Sequence, residues 1–592
     1  WCCTPTPTVM FDRAIVRNAK DGNWSVFDDC RGVLMATAHE EVLPLLETVE
    51  RRAGEEHVYA VGYVAYEASH AFDRKFPKRS FNMPLVCFAL FTRETVMASL
   101  ADFYSAEEST TADWALQESQ ASFESKVRHI KSMIGAGEVY QINLTSRMTA
   151  ASDISLSDFV RWSQDMPHAV FMSGPDTTIC SASPEMFFER DGGFVWSKPM
   201  KGTVGRQPDA TADDANAQWL QSSVKNRAEN VMITDMVRND LARLSSTGKV
   251  SVDELFGIER YPSVWQMTST VKTAVEASIA DIFSALFPAA SITGAPKHAA
   301  VDVIDRLEDS PRGIYTGALG LIRPNGFASF NVAIRTAWSA SRAHGSQFGV
   351  GGGIVWDSDP SEEFEEVQTK ARILKQPDPE FHLFETMGIS DGQIVRKNHH
   401  LKRLERSARY WSFCINTEAI ESYLTELLRS LDVSQSWRLR LQLERDGSLR
   451  HQVEPFQPTS DTRTHPLSIS LVATAVESND PYLVHKTSRR DAYDKALAEV
   501  PDGVFPLLFN QLGHITESAI ANVVYQRAGE LYTPPVSDGL LPGVLRGELV
   551  ASGTVQEHSL SVTELKTVEA WWLINSLRGW RPCQLLVPET QS

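Results

Sequence analysis

Cysteine is scarce in this sequence: there are seven in 592 residues, at positions 2, 3, 30, 87, 180, 414 and 583. An odd, scattered set without a C-x-x-C pair argues against a disulfide framework and a zinc ribbon, and fits a reducing cytoplasm. No run of about 18 apolar residues occurs, so no membrane span is expected. The opening segment lacks the basic region and apolar stretch of a secretory signal. Basic residues are also outnumbered: Lys+Arg is 57 against 75 Asp+Glu, a net charge of −18. That balance argues against a nucleic-acid-binding face. An anionic substrate would need a locally basic or metal-bearing site, because the global field repels it. Several catalytic signatures are missing too. Gly349-Val350-Gly351-Gly352-Gly353 fails the G-x-G-x-x-G spacing, Gly294-Ala295-Pro296-Lys297 is too short for a P-loop, and neither G-x-S-x-G nor H-E-x-x-H appears.

What is present is ordinary globular material. Hydrophobic residues make up 42% and charged residues 22%, enough for a packed core. The length sets a prior of about four structural units. The clearest seam is Lys375-Gln376-Pro377-Asp378-Pro379, where two prolines favour an extended linker. A weaker polar stretch runs from Ser105 to Ala112. The expected divisions are an N-terminal portion 1–110, a catalytic part 111–375, a linker 376–380 and a second catalytic part 381–592. Val58–Tyr66 and Leu85–Phe91 read as strands, Glu124–Ile134 and Asn226–Leu244 as helices, and strands cluster again from Gly317 to Val355. This mixture predicts an α+β fold.

Three segments carry candidate chemistry. In Asp359-Pro360-Ser361-Glu362-Glu363-Phe364-Glu365-Glu366, Asp359 can cap a helix, Pro360 suits its first turn and Glu362 can complete a capping box. Glu363, Glu366 and Lys370 then share one face. Such acids either complement the helix dipole or present carboxylates to a hard cation such as Mg²⁺. Glu229 shares a stripe with Ile233 and Met236, so it must be paired, for instance with an arginine, or hold a metal. Ser183-Pro184-Glu185 precedes Lys198-Pro199-Met200-Lys201-Gly202-Thr203, whose Lys201 taken alone reads as a surface lysine on a turn or strand edge.

Together with Tyr140-Gln141-Ile142-Asn143-Leu144, Asp235-Met236-Val237-Arg238-Asn239-Asp240, Ser291-Ile292-Thr293-Gly294-Ala295-Pro296-Lys297 and Gly351-Gly352-Gly353-Ile354-Val355, these stretches resemble the chorismate-utilising enzymes, and specifically the aminodeoxychorismate synthase component I group. The resemblance implies a sandwich of antiparallel sheets with outer helices. It makes Lys201 the nucleophile on the chorismate ring and Glu185 the acid that protonates the departing hydroxyl, after which ammonia displaces the lysine. Glu229 and Glu366, with Glu363 beside them, would hold Mg²⁺. Gly202, Thr203, Tyr315, Arg335, Lys370 and the backbone of Gly351 and Gly353 would seat the substrate. Anthranilate synthases resemble this chain but have Ala where Lys201 stands. The family's usual His is replaced by Gln266, which can hydrogen-bond but cannot shuttle a proton at neutral pH. The chain has no Gly-x-Cys-x-Gly elbow, so ammonia is expected from solution or from a glutamine amidotransferase partner.

Further along come Phe384-Glu385-Thr386, His400-Leu401-Lys402-Arg403-Leu404, His485-Lys486-Thr487, Ile515-Thr516-Glu517-Ser518, Leu541-Pro542-Gly543-Val544-Leu545-Arg546 and Asn575-Ser576. This order resembles the fold-type IV pyridoxal-phosphate enzymes of the class-IV aminotransferase family, which include aminodeoxychorismate lyase. The resemblance implies that Lys486 holds the cofactor and moves protons. Glu517 would pair with the ring nitrogen, and Arg403, Ser576 and the amides of Val544 and Leu545 would bind the phosphate. The family's usual segment before Phe384 is missing, so the small subdomain is expected to be shortened. A homodimer through this part is a further expectation. The combination points to a fused synthase and lyase making 4-aminobenzoate, a folate precursor. The alternatives are a synthase joined to another transaminase, or an anthranilate synthase-like amination beside a non-catalytic C-terminal part.

Overall fold

The computed structural model of the protein describes residues 11–100, 103, 113–261, 264–340, 345–375, 381–457 and 466–586. The expected linker at 376–380 and the polar stretch 105–112 lie outside the described residues. The chain forms two compact units: Trp1–Gly205 with Ala217–Pro379, and Arg206–Asn216 with Glu380–Ser592. The second unit is therefore discontinuous in sequence.

The first unit is α+β, with eighteen strands among the described residues in one hydrogen-bonded network. Strand β1 (Tyr59–Val64) pairs antiparallel with β2 (Val86–Met97). Helix α1 (Gln120–Gly135) extends the expected helix by a turn at its start, where the Ser119 hydroxyl accepts the Ser122 N–H. It buries Phe123, Val127, Ile130 and Met133, one helical face. Next come β3 (Gln141–Ala150), β4 (Met200–Gly205), α2 (Val224–Ala242), β5 (Val264–Val275), β6 (Ala318–Ile322), β7 (Ser346–Ile354) and α3 (Pro360–Ala371). The central pair is β3 with β7, in register from Ile142–Ile354 to Ala150–Ser346. Apolar side chains on alternate strand positions feed three buried clusters, around Phe88, Phe188 and Phe283, around Phe123, Phe159 and Phe348, and around Tyr63, Phe91 and Trp338.

One local expectation fails. At the start of α3, Asp359 caps as anticipated: its Oδ1 accepts the N–H groups of Ser361 and Glu362 at 2.9 and 3.2 Å. The Glu362 side chain returns no bond to the Asp359 N–H among the described residues, so the capping box is not closed. Pro360 at the first turn and the two-pronged Asp359 cap already define the helix start.

The second unit holds two sheets. The four-stranded sheet includes β8 (Leu383–Ser390) and packs against α4 (Lys397–Trp411). Its central pairing is β8 with β9 (Trp437–Leu443), which in turn pairs with β10 (Leu449–Pro455). Leu383, Met387, Leu439, Leu441 and Leu443 line the face buried against α4, leaving Phe384 on the other. The eight-stranded sheet contains β11 (Ala521–Arg527), which precedes helix α5 (Val544–Ala551), and β12 (Ala570–Asn575). All five cysteines among the described residues are unpaired. No helix among the described residues is long and apolar enough to cross a membrane.

Candidate active site

In the first unit Lys201 lies on β4, opposite Gly353 of β7. A Cβ added at Gly353 would stand 2.7 Å from Lys201 Nζ and 3.0 Å from Gln141 Nε2. Glycine here opens the space that the ammonium occupies. Burial pulls the Lys201 pKa down; Glu229, Glu366 and Glu185 oppose that and Lys370 reinforces it. Lysine and carboxylates are thus assembled in one place, not on a solvated edge.

Glu185 is 5% exposed. Its backbone N–H donates to Ser183 Oγ at 3.2 Å, which fixes the chain just before the strand Met186–Asp191. Burial raises its carboxyl to about 7, against the opposing influence of Ser291, the Lys201 charge and the Met200 backbone. A carboxyl in that range can hold and release a proton near neutrality.

Helix α3 presents the anticipated face. Glu363 Oε2, Lys370 Nζ and Glu366 Oε1 surround the position a Gly352 Cβ would take, at 3.2, 3.7 and 3.8 Å. Lys370 Nζ pairs with Glu366 Oε1 at 2.6 Å and donates to Gly351 O at 2.8 Å. Glu363 accepts from Ser358 Oγ at 2.5 Å, and burial raises its carboxyl. Burial acts on Glu366 in the same sense, but Lys370 outweighs it and holds the carboxylate below its usual range. Glu229, on α2, is partly exposed and makes no ion pair or hydrogen bond among the described residues.

The remaining expected substrate residues divide. Gly202 takes φ +96°, a conformation that favours glycine. Thr203 Oγ1 donates to Gln266 Oε1 at 2.9 Å, which gives Gln266 a defined partner. Arg335 has positive φ (+50°) and donates from Nη1 to Met166 Sδ at 3.5 Å; it meets no carboxylate among the described residues, and burial lowers its pKa. Tyr315 is buried, its ring lying where a Gly349 side chain would otherwise be, 2.0 Å from the added Cβ.

Gln141 joins the site although sequence pattern marks it only as part of a longer motif. It is fully buried, and neither its Nε2 nor its Oε1 has a hydrogen-bond partner among the described residues. An unsatisfied buried amide is costly, about 1–3 kcal/mol, and this one adjoins Lys201 across Gly353. Its strand position, two residues before the buried Asn143, is the one signal that could have found it.

In the second unit Lys486 Nζ lies 4.7 Å from the Phe384 ring centre. Burial, with Arg403 adding to it, lowers its pKa to about 8. Arg403 and His400 fall one turn apart on α4 and converge on Glu385. Arg403 Nε and Nη2 donate to the two Glu385 oxygens at 2.8 and 2.6 Å, and Arg403 Nη1 reaches Pro542 O at 3.3 Å. His400 bridges Glu385 Oε2 at 2.7 Å and Ser576 Oγ at 2.9 Å. Burial alone would raise the Glu385 carboxyl, but Arg403 and His400 bring it down to about 2. Arg403 and Ser576 are thus linked indirectly, through Glu385 and His400. Glu385 and His400 are not singled out by sequence, because their meeting depends on which strand the α4 face packs against.

Glu517 is buried and receives three donors: Tyr493 Oη at 2.7 Å, Asn522 Nδ2 at 2.9 Å and the Leu541 N–H at 3.0 Å. Burial still raises it to about 7, Tyr493 opposing most. Val544 and Leu545 begin α5, the end of a helix where N–H groups lack intrahelical acceptors. The preceding Gly543 is required, since a Cβ there would lie 1.9 Å from Asn522 Oδ1. His485, next to Lys486, is held by Ser407 Oγ at 2.9 Å and Pro208 O at 3.1 Å, and stacks on Tyr410 at 4.3 Å.

Residues 12–376, which include this acid, amine and glycine strand, match the profile of the chorismate binding enzymes. The chain belongs to that family. Residues 382–586 match the class IV amino-transferase profile, so a second domain of that type follows the first. Aminodeoxychorismate synthase component 1 of Escherichia coli strain K12 is 36% identical over 273 residues, 45% of this chain and 60% of that protein. Anthranilate synthase component 1 1 of Haloarcula marismortui is 35% identical over 258 residues, 43% of this chain and 52% of that protein. The chain thus spans little more than half the length of these curated relatives. A crystal structure of anthranilate synthase component I from Streptococcus pneumoniae is 23% identical and covers 62% of this chain and 90% of its own, with a TM-score of 0.49.

Proposed function

We propose that the first unit aminates chorismate to 4-amino-4-deoxychorismate, and that the second eliminates pyruvate from that product to give 4-aminobenzoate. The observation that supports the first step is the Lys201 amine set close against Gly353, with the raised carboxyl of Glu185 among the groups that act on it. The Lys201 amine forms a C–N bond to the ring as the hydroxyl leaves, and Glu185 supplies the proton that makes it water. Ammonia then forms its own C–N bond as the lysyl C–N bond breaks. Lys201 is restored, and the proton lost by the incoming ammonia returns the acid. Ammonia comes from a separate glutamine amidotransferase. Arg335, without a carboxylate of its own, suits a substrate carboxylate, and Gln141 offers an uncharged amide to whatever enters beside Lys201.

Mg²⁺ fits the donors available. Among the described residues no three His, Cys, Asp or Glu side chains form a ready-made metal cage. The donors are carboxylates, Glu229 makes no ion pair among the described residues, and magnesium is commonly held by one or two carboxylates together with substrate and water. Glu229 and Glu366 would hold it, with Glu363 beside them, offsetting a substrate carboxylate.

Pyridoxal phosphate fits the second unit. A half-buried amine (Lys486), a protonatable buried carboxyl (Glu517), helix-start amides (Val544, Leu545), Ser576 and Arg403 are the groups its ring and phosphate require. When bound it supplies an electron sink. Lys486 would hold it and would move the substrate-ring proton during aromatisation. Glu517 carries the proton facing the ring nitrogen, and Glu385 keeps Arg403 oriented. Fusion to a synthase favours the lyase over transamination of another substrate. The test is to supply chorismate, ammonium, Mg²⁺ and pyridoxal phosphate and identify the product. 4-Aminobenzoate with one pyruvate supports the reading, whereas anthranilate, or an unconverted aminodeoxychorismate, overturns one half of it.

A further inference from the structure

Strand β4 does not pair evenly with β5. Met200 lies opposite Thr268 and Thr203 opposite Gln266, so Lys201 and Gly202 together face the single residue Met267. Two residues against one is a β-bulge, a device that turns a side chain out of the regular alternation and interrupts the ladder. Carbonyl groups at the interruption need other donors, because a buried unpaired carbonyl is costly.

One side chain supplies them. Asn230 of α2 is 1% exposed. Its Nδ2 donates to Lys201 O at 3.2 Å and to Met267 O at 3.3 Å, one carbonyl from each side of the bulge. Its Oδ1 accepts from Ser269 Oγ at 2.5 Å and Thr234 Oγ1 at 3.3 Å. Thr234 Oγ1 is itself anchored on Asn230 O at 2.7 Å. The amide cannot turn over without setting its oxygen against two carbonyl oxygens. One turn earlier on α2, Asn226 closes over Gly202: a Cβ there would meet Asn226 Cβ at 3.0 Å. Glu229 precedes Asn230 in the sequence, so the helix that carries this carboxylate is tied by the next residue to the backbone of Lys201.

We infer that Asn230 is a positioning residue for Lys201. It clamps both carbonyls of the bulge, and so sets the distance and angle at which the lysine amine meets the ring. The inference rests on the proposed nucleophilic role of Lys201. Asn230→Asp keeps the shape of the side chain but replaces the double donor by an oxygen that repels both carbonyls. Displacing a reacting group by about 1 Å costs on the order of 100-fold in rate.

The test measures aminodeoxychorismate formation with chorismate, ammonium and Mg²⁺ in the full-length protein, together with backbone amide exchange at residues 200–203. Expected for Asn230→Asp is a kcat lowered 10- to 100-fold, a KM for chorismate and an Mg²⁺ half-saturation within twofold of the parent, and faster exchange at 200–203. Should that variant not fold, Ser269→Ala, which loosens the amide from its oxygen side, is expected to lower kcat several-fold with KM unchanged. A folded variant with unchanged kcat, or one whose whole defect is in KM, overturns the inference. Lys201→Ala separates the two levels. If it still makes aminodeoxychorismate at the parental rate, the nucleophile reading falls; if it is inactive while Asn230→Asp is normal, only the clamp falls.

Discussion

Glu185→Gln should yield a protein that is more stable and far less active. Burial lifts the Glu185 carboxyl from 4.5 to about 7, and a shift of that size corresponds to about 3 kcal/mol. Linkage sets the sign. A carboxyl raised in the folded state is stabilising while protonated, so its contribution is complete below the unfolded value of 4.5. It is lost as pH rises through about 7. Gln has the shape of the protonated acid and does not titrate. The gap in thermal stability between variant and parent should therefore open as pH is raised from 5 to 8, reaching about 3 kcal/mol in favour of the variant. Over the same range the parent should lose activity above neutrality as the acid ionises. The variant, with no proton to give, should be 10²- to 10⁴-fold slower throughout. The assays are melting curves and aminodeoxychorismate formation on the same samples across that range. A stability gap equal at pH 5 and pH 8, or a variant with more than a tenth of parental activity, would refute the placement of a protonatable acid beside Lys201.

Other expected outcomes are more compact. Lys201→Ala should abolish aminodeoxychorismate formation or divert amination to another ring carbon, read by product chromatography. Gly353→Ala would put a methyl group 2.7 Å from Lys201 Nζ and should lower kcat at least tenfold while leaving the melting temperature nearly unchanged; parental activity would contradict the narrow approach. Glu366→Gln should raise the Mg²⁺ concentration needed for half-maximal activity, and an unaltered titration would contradict its role as a ligand. Lys486→Ala should retain no pyridoxal phosphate through gel filtration and release no pyruvate from supplied aminodeoxychorismate.

Much of the site is legible in the linear order of the residues, and physical chemistry explains which parts. The face shared by Glu363, Glu366 and Lys370 follows from helical periodicity alone, and α3 delivers it at the Gly352 position. Local spacing likewise places the strands Val58–Tyr66 and Leu85–Phe91 within a few residues of β1 and the start of β2. The bulge at Lys201 depends on register against β5, some sixty residues onward, and no local pattern encodes such a slip. The union of Glu385, His400 and Ser576 spans β8, α4 and the end of β12. Gln141 has no charge to mark it; its strand alternation with Asn143 hints at burial, but only the lack of a partner among the described residues sets it apart.

The discontinuity of the second unit has a practical consequence for anyone dividing this polypeptide. Arg206 and Asp213 form a buried pair at 2.7 Å, and the Arg206 guanidinium lies 4.3 Å from the Tyr410 ring, which stacks on the neighbour of Lys486. A gene fragment opened at codon 381 would encode the class IV fold without that plug, leaving the Tyr410 ring without its cation and the His485 imidazole without its Pro208 bond. Scissors applied between the prolines would therefore produce a truncated partner, not a freestanding one. Restoring the missing eleven residues as a grafted peptide would be the remedy.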